Sequence, residues 1–186
     1  MNTLPTLALG IAIACSSLAA PLFADHHEGD QSEFGSPTID LGVVVSDVEK
    51  AVKFYTGAIG FKEVPGFTVS AEFAKNSGLT DSKKLDIRVL LLGEGAGATK
   101  LKLMQVPGEQ KKADNTHIDS QQGFSYITIM VKSTDKALER LKKAGVKPIA
   151  KGPVTLPENL NPALSLTIVR DPDGNFVELV GPKPSK

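Results

Sequence analysis

The sequence predicts an α+β fold assembled from two copies of one β-α-β-β-β unit. Three observations carry that reading. A strand followed by a capped helix occupies residues 38–60 and returns at 124–145, at an offset of 86 residues. Each opening is followed by three more stretches of strand pattern, separated by turn residues. The composition, 41% hydrophobic and 23% charged, is that of a chain able to bury a core.

The first strand runs from Thr38 to Val45, where Ile39, Leu41, Val43 and Val45 alternate with Asp40, Gly42 and Val44. Ser46 and Glu49 have capping-box spacing for the helix that follows, and Gly60 ends it. Val48, Val52 and Tyr55 share its apolar face. Strand pattern then covers Phe61–Val64, a short helix Ser70–Ser77, and strands Ile87–Leu92 and Thr99–Gln105 around a glycine-rich turn. In the second copy the strand is Phe124–Val131, and Ser133 or Thr134 caps a helix with Ala137, Leu138, Leu141 and Ala144 inside, ended by Gly145. Strands at Lys147–Ala150, Ser165–Arg170 and Asn175–Val180 complete it, the last two joined through Asp171-Pro172-Asp173-Gly174. Module one therefore covers about 38–106, a polar linker 107–122, and module two about 123–182.

Residues 1–24 contain no Asp, Glu, Lys or Arg and are apolar and small, and Asp25-His26-His27-Glu28 follows at once. This is the pattern of a secretory signal peptide, with cleavage expected after Ala24 and before Ala20 as the alternative. A third route is acylation of Cys15, the one cysteine, which would anchor the chain to a membrane. The expected location is therefore exported, periplasmic or secreted. Residues 25–37 read as a disordered polar tether. Cleavage after Ala24 would put His27 third from a free amine, an arrangement that can hold Cu(II) or Ni(II) in a square plane.

Lys+Arg and Asp+Glu are each 21, so the formal net charge is zero. No basic excess is available for a phosphate backbone, and with 5% aromatics and no tryptophan there is no stacking platform for bases. A nucleic-acid partner is not expected. His117 reads as an exposed linker residue, and the glycines at 93–97 lack dinucleotide-fingerprint spacing.

Two motifs resemble the vicinal oxygen chelate superfamily, which includes glyoxalase I, extradiol dioxygenases and bleomycin-resistance proteins. They are Val45-Ser46-Asp47 with Phe54-Tyr55 and Ile59-Gly60-Phe61, and Arg170-Asp171-Pro172-Asp173-Gly174-Asn175-Phe176-Val177-Glu178-Leu179. The resemblance implies that the paired modules form an eight-stranded curved sheet, a cup, with helices outside and ligand inside. Metal-bearing members place one ligand on each of four strands. Carried over, those positions fall on Asp40, Lys102, Tyr126 and Glu178, where the family usually has His, Glu or Gln, His, and Glu. Glu178 alone matches; Lys102 cannot ligate while protonated.

Strand alternation puts Met104, Thr128 and Phe176 on the same side as those four, so Asp40, Tyr126, Met104, Thr128 and Phe176 are the expected ligand-binding residues. Two carboxylates without a cation would repel. Lys102 is expected to sit between Asp40 and Glu178 in place of a metal, so no cofactor is expected. Lys102 and Glu178 are the candidate catalytic residues, the first for an anionic ligand and the second for moving a proton.

The leading expectation is an exported protein binding a small organic molecule in a metal-free cup. The alternatives are a metal-dependent lyase, isomerase or dioxygenase using Zn, Ni, Mn or Fe, and a non-catalytic interaction module. Relatives often pair, so a homodimer is also expected.

Overall fold

The computed structural model describes residues 38–185 apart from Ala96 and Glu109. The proposed signal peptide, Cys15, the tether and His27 lie outside the described residues. Module one contributes β1 (Asp40–Val44), α1 (Val48–Lys53), β2 (Lys62–Val69), α2 (Ala71–Asn76), β3 (Leu85–Leu92) and β4 (Thr99–Met104). Module two contributes β5 (Tyr126–Met130), α3 (Thr134–Lys143), β6 (Val154–Thr155), β7 (Leu164–Arg170) and β8 (Phe176–Pro182).

The eight strands form two four-stranded mixed sheets in the orders β1-β4-β3-β2 and β5-β8-β7-β6. The two orders are the same when each module is counted from its own first strand. In both, the first strand pairs parallel with the last, and the remaining pairs are antiparallel. The repeat read from the sequence is thus a repeat of topology, and the sheets do not close into a barrel.

One face of each sheet is covered by helices. Leu90, Leu101 and Leu103 of module one and Val169, Val177 and Leu179 of module two belong to one core with Ala51, Val52, Ala137 and Leu141 of α1 and α3. Arg140 of α3 donates to the Ile59 carbonyl at 3.1 Å, tying the helical layers of the modules together. Arg88, also on this face, bridges Glu49 on α1 and Glu63 on β2.

Several boundaries differ from expectation. Asp47, not Ser46, caps α1: its carboxylate accepts from the Lys50 N–H at 3.0 Å. The Ser46 N–H instead donates to Asp173 of module two, at 3.2 Å to each carboxylate oxygen. The helix continues beyond Lys53 as a π-helical segment, Phe54–Ile59, before Gly60 ends it at φ 103°. That wider turn buries Phe54, Tyr55, Ala58 and Ile59 together.

The strand expected at Lys147–Ala150 does not form. Ala150 has φ 50°, which cannot continue a strand, and one hydrogen bond from Ile149 N to Ile168 O is all that reaches β7 from there. The edge strand is β6 instead. β5 begins at Tyr126, leaving Phe124 outside the ladder and fully exposed.

β2 is longer than expected and carries an irregularity. Its pairing with β3 runs Val64 opposite Val89 and then Phe67 opposite Ile87, so one extra residue lies on β2. Pro65 and Gly66 supply the bulge. A side chain at Gly66 would place its Cβ 2.0 Å from the Ile87 carbonyl oxygen, so the position demands glycine.

Candidate functional site

The sheet face away from the helices is the one the sequence assigned to the cup. Register places Asp40 beside Lys100, Gly42 beside Lys102 and Val44 beside Met104 on β1 and β4. On β3 and β2, Leu91, Val89 and Ile87 continue those rows, ending at Lys62, Val64 and Phe67. In module two the matching rows are Tyr126–Phe176–Arg170, Thr128–Glu178–Ile168 and Met130–Val180–Leu166. All seven residues expected on this face, Asp40, Lys102, Met104, Tyr126, Thr128, Phe176 and Glu178, therefore share the alternation phase assigned to them.

The side chains meet only in part as expected. Lys102 Nζ lies 2.8 Å from Asp40, and Lys100 Nζ lies 3.8 Å from the same carboxylate. The Lys102 ammonium holds the Asp40 carboxyl below its ordinary range through that hydrogen bond, with Lys100 adding to the effect. Glu178 is not part of this cluster. It accepts from the Thr128 hydroxyl at 2.7 Å and makes no ion pair among the described residues. The reason is topological: Asp40 and Lys102 sit on hydrogen-bonded neighbours within one sheet, whereas Glu178 belongs to the other.

Asp40 and Tyr126 do line one cleft. It has a volume of about 460 Å³, lies where β1 and β5 approach, and is also bordered by Ile39, Val44, Phe124 and Phe176. A second cleft of about 410 Å³ opens at the strand ends beneath the linker, among Gln105, Lys111, Lys112 and Asp173.

Arg170 organises this end of the molecule. It donates to the carbonyls of Asn115, Thr116 and Gly174, and its guanidinium lies 4.2 Å from the Phe176 ring centroid. The linker is therefore held over β7 by these carbonyl contacts, joined by the Asn115 side-chain amide, which donates to the Asn175 side chain at 3.0 Å. Arg170→Met should release it and speed tryptic cleavage at Lys111 and Lys112 about tenfold, the effect of losing roughly 1.4 kcal/mol of local hydrogen bonding. An unchanged cleavage rate would mean that other contacts hold the segment.

Beneath the linker turn, Tyr55 donates to Asp171 at 2.9 Å. Asp171 is 5% exposed and also accepts from Asp173 N, Asn175 N and Asn175 Nδ2 at 2.8–3.0 Å. This carboxylate joins the first module's helical segment to the β7–β8 turn. Burial, and then the negative charge of Asp171, push the Tyr55 hydroxyl well above the usual phenol range.

Sequence reasoning missed four participants. Lys100 was legible as the residue two before Lys102, in the same phase of the strand. Arg170 stood inside the quoted motif without a role. Phe67, whose ring centroid is 5.9 Å from Lys102 Nζ, was hidden by the bulge. Lys62 lay in the same irregular strand.

A divalent metal fits this donor set poorly. Asp40 already carries an ammonium, and a divalent cation about 4 Å from Lys102 would meet repulsion of about 8 kcal/mol in a near-surface dielectric. Among the described residues no group of three or more His, Cys, Asp or Glu is arranged to hold a metal ion.

Fold and face together define a paired-module protein with a candidate site on the sheet face opposite the helices. The model of the Glyoxalase/Bleomycin resistance protein/Dioxygenase superfamily matches residues 39–179, and the chain belongs to that superfamily. Solved structures with this fold include a glyoxalase family protein from Bacillus cereus, 21% identical, with TM-score 0.62 over 81% of this chain and 97% of that one. A glyoxylase/bleomycin resistance protein/dioxygenase domain from Frankia sp. is 20% identical, with TM-score 0.51 over 79% of this chain and 92% of that one. A glyoxalase I mutant from Zea mays is 21% identical, with TM-score 0.52 over 77% of this chain and 46% of that one. No curated protein sequence matches the chain.

Proposed function

We propose that this chain is an exported binding protein that holds a small organic molecule between its two modules without a divalent metal. The observation that carries the metal-free part is the Lys102–Asp40 contact at 2.8 Å. It balances one carboxylate at a family ligand position with an ammonium, and Tyr126 stands at another such position. The cleft bordered by Asp40, Tyr126 and Phe176 supports small-molecule binding, since its volume of about 460 Å³ is within the range of such sites. Export rests on the uncharged apolar residues 1–24 and the abrupt charge that follows.

Calorimetry with Mn(II), Fe(II), Co(II), Ni(II) and Zn(II) tests the metal-free reading. The mature chain should carry His26→Gln and His27→Gln so that the amino terminus does not answer for the cup. The expected result is no one-to-one binding to the folded protein. Tight stoichiometric binding lost in Glu178→Ala would overturn the reading and favour a metal-dependent lyase, isomerase or dioxygenase. Export is tested by mass spectrometry of cell fractions: an amino terminus at Asp25 outside the cytoplasm is expected, and intact Met1 in the cytosol would contradict it.

A further inference from the structure

We propose that the molecule held in the cup is an anion with an apolar body, an aliphatic or aromatic acid. This rests on the binding reading above and adds the chemical class of the ligand. Four cations share the face opposite the helices: Lys62, Lys100 and Lys102 on the first sheet and Arg170 on the second. Only two carboxylates, Asp40 and Glu178, share it with them. The face thus has two positive charges in excess within a chain whose formal net charge is zero.

The pairing inside the face leaves that excess available. Asp40 is divided between Lys102 at 2.8 Å and Lys100 at 3.8 Å, so one carboxylate serves two ammonium groups. Lys62 is exposed and makes no ion pair among the described residues. Arg170 donates to three carbonyl oxygens, which satisfy its N–H groups without cancelling its charge. Lys62 and Lys100 are separated only by Leu91 in the same cross-strand row, roughly 10 Å between backbones, a gap that two flexible lysine arms can close around one acid group.

Large apolar side chains stand open near these charges: the Phe67 ring centroid lies 5.9 Å from Lys102 Nζ, and Lys102 and Lys100 hold Asp40 at the edge of an apolar cleft. Phe124 is fully exposed, Tyr126 and Phe67 are about half exposed, and Ile39 is largely so. Phe124, Tyr126 and Ile39 border the cleft that Asp40 also lines. An acid with a hydrocarbon or aromatic body covers this surface and meets the lysines with its head. A neutral ligand would leave the ammonium groups unanswered, and a cation would be repelled.

Two dyes with one ring system separate the cases: 1-anilinonaphthalene-8-sulfonate, an anion, and N-phenyl-1-naphthylamine, its uncharged counterpart. The sulfonate should bind the full mature protein about tenfold more tightly at low salt, with the difference shrinking as salt rises. Each lysine is expected to account for about a threefold share. The double variant Lys62→Gln/Lys100→Gln changes two exposed side chains, and its circular dichroism should match wild type. It should weaken the sulfonate about tenfold and leave the neutral dye unchanged, while Phe124→Ser weakens both. Equal binding of the two dyes, both weakened by Phe124→Ser, would remove the anion and keep the binding reading. Sulfonate binding indifferent to Phe124→Ser would place the dye outside the cup and overturn the inference. Failure of both dyes to bind would count against the binding reading itself.

Discussion

Asp171→Ala should lower folding stability by about 3 kcal/mol, a fall in Tm of about 10 °C for a domain of this size, measured by urea and thermal denaturation. The substitution removes the acceptor of four hydrogen bonds in a buried position and leaves the Tyr55 hydroxyl without its partner. Tyr55→Phe removes only the Tyr55–Asp171 hydrogen bond and should cost about 1 kcal/mol. A double-mutant cycle between the two isolates their coupling. If Asp171→Ala unfolds within 0.5 kcal/mol of wild type, the carboxylate does not join the modules.

The same pair makes a pH prediction. The Tyr55 proton is held more tightly in the folded chain than in the unfolded one, because burial and Asp171 both oppose the phenolate. Above pH about 10 the unfolded chain releases that proton and the folded chain keeps it. Stability from this group is therefore complete below pH 10 and declines as the pH rises further. Tyr55→Phe should remove that part of the alkaline slope, and an unchanged slope would assign it to other groups.

Gly66→Ala should be comparably damaging, by about 3 kcal/mol or more. Its Cβ would fall 2.0 Å from the Ile87 carbonyl oxygen, a contact with backbone that no rotamer relieves. Either the β2–β3 ladder opens or the bulge is lost. Loss of the bulge would shift the following residues by one and turn Phe67 to the opposite side, away from Lys102. The variant should thus lose both stability and binding of the anionic dye, and an unaltered denaturation midpoint would show that β2 relaxes freely at this point.

The legible parts of this protein are those with a local period. Alternation in 38–45, 99–105 and 124–131 assigned Asp40, Lys102, Met104, Tyr126 and Thr128 to one face, and the register agrees. Glycines at 60 and 145 marked helix ends because both adopt positive φ. The helix start was off by one residue because Ser46 and Asp47 both offer an oxygen acceptor, and the backbone angle of Asp47 made the choice. The strand at 147–150 was misread because apolar content there is compatible with a strand, while the left-handed Ala150 answers to the turn into Gly152.

By itself the sequence determined the two-module architecture, the repeat and the residues that share the cup face. These follow from hydrophobic periodicity, capping and turn chemistry, which act over a few residues. Only the tertiary structure decided which charges meet. Asp40 and Lys102 are separated by 62 positions and joined by parallel pairing of β1 and β4, while Glu178, on the other sheet, turns to Thr128. The bulge at Pro65-Gly66 likewise decided that Phe67 stands beside Lys102. Strand period says which side a residue takes, but sheet order and register set its distance from any other side chain, and electrostatic pairing depends on that distance.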